Sequence, residues 1–217
     1  LKFCDDTIAI LKNIVTITPS IWFDEGNIVT VGNATETILV SANIAESFDQ
    51  SFGIGELTMF LNTLLLFDEA DIELKDNHAI ISEGGKKLKY FYASKSQLNL
   101  PRIKTLDIDD SAMKFSLSAD MLASINRAAG TLQLPNVTFI GDGTEVKAKI
   151  TNVNDQTSNT FDLVVGAGGS PCEIVFTIDN FKMINTDYDV NVSSSGFAEF
   201  KSTDNTITYW LAAEEIK

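Results

Sequence analysis

Histidine is the side chain best suited to moving protons near neutral pH. This sequence has one, His78, in the polar run Lys75-Asp76-Asn77-His78 between two apolar segments, a setting that reads as a turn. No second histidine stands with it and neither cysteine lies near it in sequence, so a histidine-based zinc site has no ligand set. Asp68-Glu69-Ala70-Asp71 gathers carboxylates but lacks the alternating oxygen donors and central glycine of a calcium loop, and reads as a solvated turn. Gly166-Ala167-Gly168-Gly169-Ser170-Pro171 has the composition of a phosphate-cradling loop. Its flanks, Phe161 to Val165 and Glu173 to Ile178, are both β-type, and neither a lysine nor a long helix follows, so it reads as a hairpin loop. The Asn-x-Ser/Thr sites at Asn33, Asn136 and Asn191 carry meaning only in a secreted chain. No catalytic residue, metal site or cofactor is assigned.

The elements that would hold any site belong to a folded, acidic chain. With 217 residues, 44% of them apolar, there is material for one large domain or two small ones. A net charge of -14 excludes a protein whose whole surface grips nucleic acid or anionic lipid, while leaving room for a local basic strip. Uninterrupted apolar stretches reach only about five residues against the roughly 20 that span a bilayer. Neither a membrane segment nor a secretory leader is expected, and the chain is read as soluble and cytoplasmic. Cys4 and Cys172 are too few for a disulfide framework and are expected to be reduced core or edge residues.

The sequence reads twice. Ile10-Leu11-Lys12-Asn13-Ile14 lines up with Ile125-Asn126-Arg127-Ala128-Ala129, and each is followed by a β-rich run with a glycine turn. A second short helical segment comes next in each half, Glu56 to Leu66 and Ile178 to Ile184, sharing Phe60 and Phe181. Tyr90-Phe91-Tyr92-Ala93 then matches Tyr209-Trp210-Leu211-Ala212. The fold class is therefore α+β: two similar β-α-β-β-β-α-β-β-β domains, residues 1–95 and 112–217, joined by a connector at 96–111.

Helical periodicity puts Ile8, Ile10, Leu11, Ile14, Val15 and Ile17 on one side of the first helix and Lys12 with Asn13 on the other. In the second half Met121, Leu122, Ile125 and Ala129 make the apolar side and Arg127 faces out at the place matching Lys12. Helix two presents only Thr58 and Asn62 outward, and the last helix presents Lys182. The helices thus show few bases and almost no acids.

The duplication, Thr7-x-x-x-Leu11-Lys12-Asn13-x-x-Thr16-Ile17, Ala42-Asn43-Ile44, Asn180-x-Lys182-Met183 and the closing Tyr209-x-x-Ala212-x-Glu214 together resemble the DNA polymerase sliding clamps of T-even-type tailed phages, within the PCNA-like clamp family. The weight lies in the order and spacing of many weak matches along the whole chain. The resemblance implies a duplicated clamp fold, helices lining a ring with sheets outside, a homotrimer around duplex DNA, and no enzymatic activity. It implies as partners the replicative DNA polymerase, an ATP-driven clamp loader and the late-transcription machinery, with no membrane, in the cytoplasm of the infected bacterial host. An acidic, β-rich phage structural or scaffold protein without DNA encirclement is the alternative.

On that reading Lys12, Asn13, Arg127 and Lys182 face DNA. Helix two carries no cation, a departure from the more basic inner helices of many clamps. Subunits are expected to join by sheet extension between Lys87 to Tyr92 and Thr160 to Val165, through Lys87, Phe91, Phe161, Asp162 and Leu163. Leu98, Leu100, Pro101 and Ile103 of the connector, with Ala212, form the expected pocket for partner peptides carrying hydrophobic anchors.

Overall fold

A computed structural model describes residues 1–214. They form two compact units, one of Leu1–Thr35 with Leu39–Lys104, the other of Glu36–Ile38 with the residues from Thr105 on.

The first unit opens with helix α1 (Asp5–Val15), which is followed by strands β1 (Ile21–Phe23), β2 (Gly26–Gly32), β3 (Ile38–Phe48) and β4 (Phe52–Ile54). Helix α2 (Leu57–Leu64) and strands β5 (Asp71–Leu74), β6 (His78–Glu83) and β7 (Lys86–Phe91) complete it. Cys4 caps α1 by accepting from the Thr7 amide, Asp5 and Asp6 sit in the first turn, and Lys12 lies in the last, each charge suiting its end of the helix dipole. Ile10, Leu11 and Ile14 are buried as periodicity requires. Strands β5, β6 and β7 form an antiparallel meander with β7 on its edge, and Leu1 exchanges backbone bonds with Ile72 beside β5. The core is aromatic: Phe23 stacks on Phe52 with ring centroids 4.7 Å apart, and Phe60 meets Tyr90 edge-on at 5.1 Å.

The second unit runs β8 (Ser111–Leu117), α3 (Ala119–Leu132), β9 (Asn136–Gly141), β10 (Glu145–Thr151), β11 (Phe161–Ala167), β12 (Cys172–Thr177), a 3-10 turn at Ile178–Asn180, then β13 (Tyr188–Ser193), β14 (Phe197–Ser202) and β15 (Ile207–Ala212). Ser118 caps α3 through the Met121 amide, and Gln133 ends it in the left-handed conformation. β8 pairs with β13 just as Leu1 pairs beside β5, so the two halves share their plan. Phe181 is buried against Phe200 at 5.6 Å, in the role Phe60 plays in the first unit.

The duplicated α+β pattern holds, with differences in detail. Each half has four strands between its helical elements instead of three. The segment 178–184 is no helix: it makes one 3-10 turn and leaves helical geometry at Phe181, where Asp179 and Asn180 favour turns over a helix interior. The Gly166–Pro171 loop is not a hairpin. β11 and β12 lie at opposite edges of a four-stranded sheet ordered β11-β10-β9-β12, so the loop crosses from one edge to the other. Glycine permits that passage, because a Cβ on Gly166 would sit 2.7 Å from Phe115 Cβ and Gly168 and Gly169 both have positive φ. Cys4 is an exposed capping residue and Cys172 is partly buried; both are free thiols.

Candidate interaction surfaces

The helix-borne cations are exposed. Neither Lys12 nor Arg127 enters an ion pair among the described residues. Lys12 stands over a groove of about 490 Å³ between α1 and α2, lined also by Ile8, Val15, Thr58, Leu61 and Asn62. Asp5, Asp68 and Glu69 border the same groove, where Glu69 pairs with Lys2 at 2.6 Å. In the second unit the corresponding groove lies between α3 and the 3-10 segment, and Lys182, not Arg127, lines it with Asn126, Gly130 and Gln133. The structure thus brings Lys182 alongside α3 although no helix carries it. Asn13 is half-buried on α1.

Two sheet edges stand open within their own units. On β7, Leu88 and the buried Tyr90 point toward α2, while Lys87, Lys89 and Phe91 point away from it. Phe91 is 63% exposed and carries the Lys89 ammonium 5.5 Å above its ring. On β11, Phe161 and Leu163 pair opposite the buried Ile150 and Ala148 and so share their inward face. Asp162 and Val164 pair opposite Lys149 and Lys147 on the outward face. Val164 is 50% and Phe161 37% exposed.

The upstream part of the connector is fastened to the first unit. Ser94 and Gln97 form a reciprocal cap, Lys95 lies 5.2 Å over the Trp22 ring, and Lys104 pairs with Asp24 at 2.8 Å. That lysine is the main reason the Asp24 carboxyl is held below its ordinary value. Leu98 rests on Gly53, where an added Cβ would fall 2.9 Å from Leu98 Cδ1 and 2.7 Å from the Ala93 carbonyl oxygen. Leu100 and Pro101 are half-buried and Ile103 is exposed. The downstream end belongs to the second unit, where Asp110 accepts hydroxyls from Ser193, Ser194 and Ser195 at 2.6 to 2.7 Å. These three bonds hold its carboxyl far below the usual range. Ala212 donates its amide to Thr37 O in the same unit, and Glu214 takes bonds from Asn136 and Thr177.

No family model matches the chain. Among curated proteins it is similar to the sliding clamp of Vibrio phage KVP40, 23% identical with all of both chains covered. The sliding clamp of Escherichia phage RB69 is 25% identical, covering 99% of this chain and 97% of that one. That of Enterobacteria phage T4 is 24% identical, covering 90% and 89%. Among solved structures the fold matches the Proliferating Cellular Nuclear Antigen of Entamoeba histolytica with a TM-score of 0.70 at 15% identity, covering 96% and 94% of the two chains. It also matches the PCNA of A. fulgidus, solved with the C-terminal region of FEN-1 bound, with a TM-score of 0.72 at 14% identity and 97% and 95% coverage. The chain therefore has the PCNA-like fold and is similar over most or all of its length to the sliding clamps of three phages. His78 opens β6 and its carbonyl closes a turn with the Lys75 amide. Partial burial, then Lys89 and Lys75, hold its imidazole below the ordinary value. Among the described residues no cluster of His, Cys, Asp and Glu could hold a metal ion, and no helix is long and apolar enough to cross a membrane.

Sequence reasoning missed several residues that shape these surfaces. Met59 and Leu66 are 51% and 60% exposed, whereas the sequence pattern turns only Thr58 and Asn62 outward from helix two. Their spacing with Thr63, at i, i+4 and i+7, was the signal. Gly53, Trp22 and Asp110 seat the connector through contacts distant in sequence, and no local pattern announces them.

Proposed function

We propose that this chain is a DNA polymerase processivity factor, three copies of which close into a ring around duplex DNA. The end-to-end similarity to the sliding clamps of three phages carries the reading. The open edges β7 and β11 supply a means of closure: one patch of a copy meets a different patch of the next, and such a heterologous contact closes a ring when the rotation allows. In this joint Lys87 and Phe91 lie opposite Phe161, Asp162 and Leu163, with apolar contact supplying most of the stabilisation and the exposed ion pairs about 0 to 1 kcal/mol each.

A ring holds DNA by topology, so its acidic exterior is no obstacle. Many counterion-releasing contacts would retard sliding, and Lys12, Asn13, Arg127 and Lys182, repeated around the ring, give a sparse positive lining. The clamp tethers the replicative polymerase, is opened and closed by an ATP-driven loader and serves late transcription, in the cytoplasm of the infected bacterium. Partner peptides enter at Leu98, Leu100, Pro101, Ile103 and Ala212. The assigned role requires no catalytic chemistry. The test combines oligomeric mass with retention on DNA: a threefold assembly that survives high salt on circles and runs off linear fragments is expected. Equal loss from both would return the chain to a structural role.

A further inference from the structure

We propose that Asp24 is a positioning residue for partner recruitment: by holding Trp22 and Lys104 at once, it pins residues 99–103 of the connector into a preformed arch on which a peptide with apolar anchors lands. The proposal rests on the reading of Leu98, Leu100, Pro101 and Ile103 as the peptide site, and it assigns the shape of that site to a residue outside it.

Both feet of the arch stand on the small β1-β4 sheet of the first unit, where Trp22 pairs with Gly53. The upstream foot is made by close contact. The Ala93 amide donates to Gly53 O at 2.9 Å and Leu98 lies on Gly53, where the missing side chain is what admits it. A Cβ there would fall 2.7 Å from Ala93 O, 2.9 Å from Leu98 Cδ1 and 3.0 Å from Trp22 Cε3. The downstream foot is electrostatic. One Asp24 oxygen accepts the Trp22 indole N–H at 3.0 Å, and the other accepts from the Lys104 ammonium at 2.8 Å. Lys95 lies over the Trp22 ring, so two of the cations in a stretch without acids, residues 94–104, converge on Trp22 and Asp24. Between the feet Leu100 and Pro101 are half-buried and Ile103 is 49% exposed, an apolar tip on a loop fixed at both ends.

Such an arch presents its anchors without first having to be ordered, and a partner's affinity falls with the fraction of time the arch is open. Without the Lys104 foot, the next side chain downstream held by hydrogen bonds is Asp110. The untied stretch then roughly doubles in length, which lowers the closed population about threefold. The Lys104–Asp24 pair itself is exposed and adds little to global stability, so its loss separates positioning from folding.

Two measurements on the full chain test this. Fluorescence anisotropy gives affinity for the polymerase C-terminal peptide, and mass spectrometry gives the rate at which trypsin nicks the arch after Arg102, which needs no partner. Lys104→Ala and Asp24→Asn are each expected to weaken the peptide about threefold, and Asp24→Ala to weaken it more, with oligomeric mass and thermal midpoint as in the parent. Both Asp24 variants, whose cleavage site is unaltered, should be nicked faster by a similar factor. In the Asp24→Ala background Lys104→Ala should add nothing, and raising the salt concentration should shrink the difference between the parent and Lys104→Ala. Unchanged nicking in both Asp24 variants would mean that Asp24 does not hold the arch, and the proposal is overturned. If nicking speeds up while the peptide binds every one of these variants as it binds the parent, the positioning role is overturned, and Leu100→Asp tells why. Loss of binding in Leu100→Asp alone leaves the connector as the peptide site, with no part in it for Asp24, whereas parental binding there places the peptide site elsewhere.

Discussion

Glu46, on β3, is only 8% exposed, and its carboxylate reaches the start of α1. One oxygen accepts the Cys4 amide at 2.6 Å and the other the Thr7 hydroxyl at 2.5 Å. Thr7 Oγ1 in turn accepts the Ala45 amide at 3.3 Å, tying helix and strand together. The site lies where a helix has unpaired amides and a positive dipole end, so a carboxylate is favoured there twice over. Glu46→Ala leaves the Cys4 N–H and the buried Thr7 hydroxyl without their acceptor. A hydrogen bond to a charged group contributes about 1.5 to 3 kcal/mol. Two are lost, and relief from burying the carboxylate returns part of that, so a net destabilisation of roughly 2 to 3 kcal/mol is expected. For a chain of this size each kcal/mol shifts the midpoint by roughly 2 to 4 °C, so the first unit should melt about 5 to 10 °C lower. Thermal unfolding followed by circular dichroism measures this, and Thr7→Val with the double variant completes a cycle whose coupling should be about 1 kcal/mol or more. A midpoint within about 1 °C of the parent, or strictly additive single variants, would refute the assignment of Glu46 as the clasp on α1.

Replacing Lys12, Arg127 and Lys182 together by alanine should weaken loading onto DNA while leaving oligomeric mass intact; unchanged loading at low salt, where phosphate attraction is least screened, would count against a DNA-facing role. Leu100→Asp should cost roughly 2 kcal/mol of affinity for the polymerase C-terminal peptide, about a thirtyfold rise in Kd by fluorescence anisotropy, with ring assembly preserved. Asp142 accepts the Thr144 hydroxyl and the Thr144 and Glu145 amides, which lower its carboxyl to about 2. Because the folded value is depressed, its contribution is present above the ordinary carboxylate range and is lost as pH falls through about 2. Asp142→Asn should therefore flatten the acid limb of a stability–pH curve.

Elements whose signal is local are legible in the sequence itself. The apolar period of α1 and α3 and the paired tyrosine strands depend on residues a few positions apart. The misreadings concern information that is not local. Flanking β-runs around Gly166–Pro171 look the same whether the loop closes a hairpin or crosses a sheet, because strand order is decided by what β9 and β10 pair with. The segment 178–184 has an apolar period, but its turn-forming Asp179 and Asn180 stop it after one 3-10 turn. On the candidate site, helical period alone suffices to place Lys12 and Arg127. The exposure of Met59 and Leu66 escapes it because a Leu-rich helix reads as buried all round until the strand beside it is known to be an edge.

The detour taken by the glycine loop settles more than strand order. Had β12 turned straight back on β11, it would have covered that strand's outer edge. By travelling to the far side, β12 caps β9 and leaves the β11 edge vacant. The cost is paid in folding time. β9, β10 and β11 can zip through successive turns, whereas β12 docks only after the loop has closed over them, and it carries Ile178, whose amide reaches Pro135 O, and the approach to Lys182. Amide exchange should accordingly report β12 opening before β9 and β10.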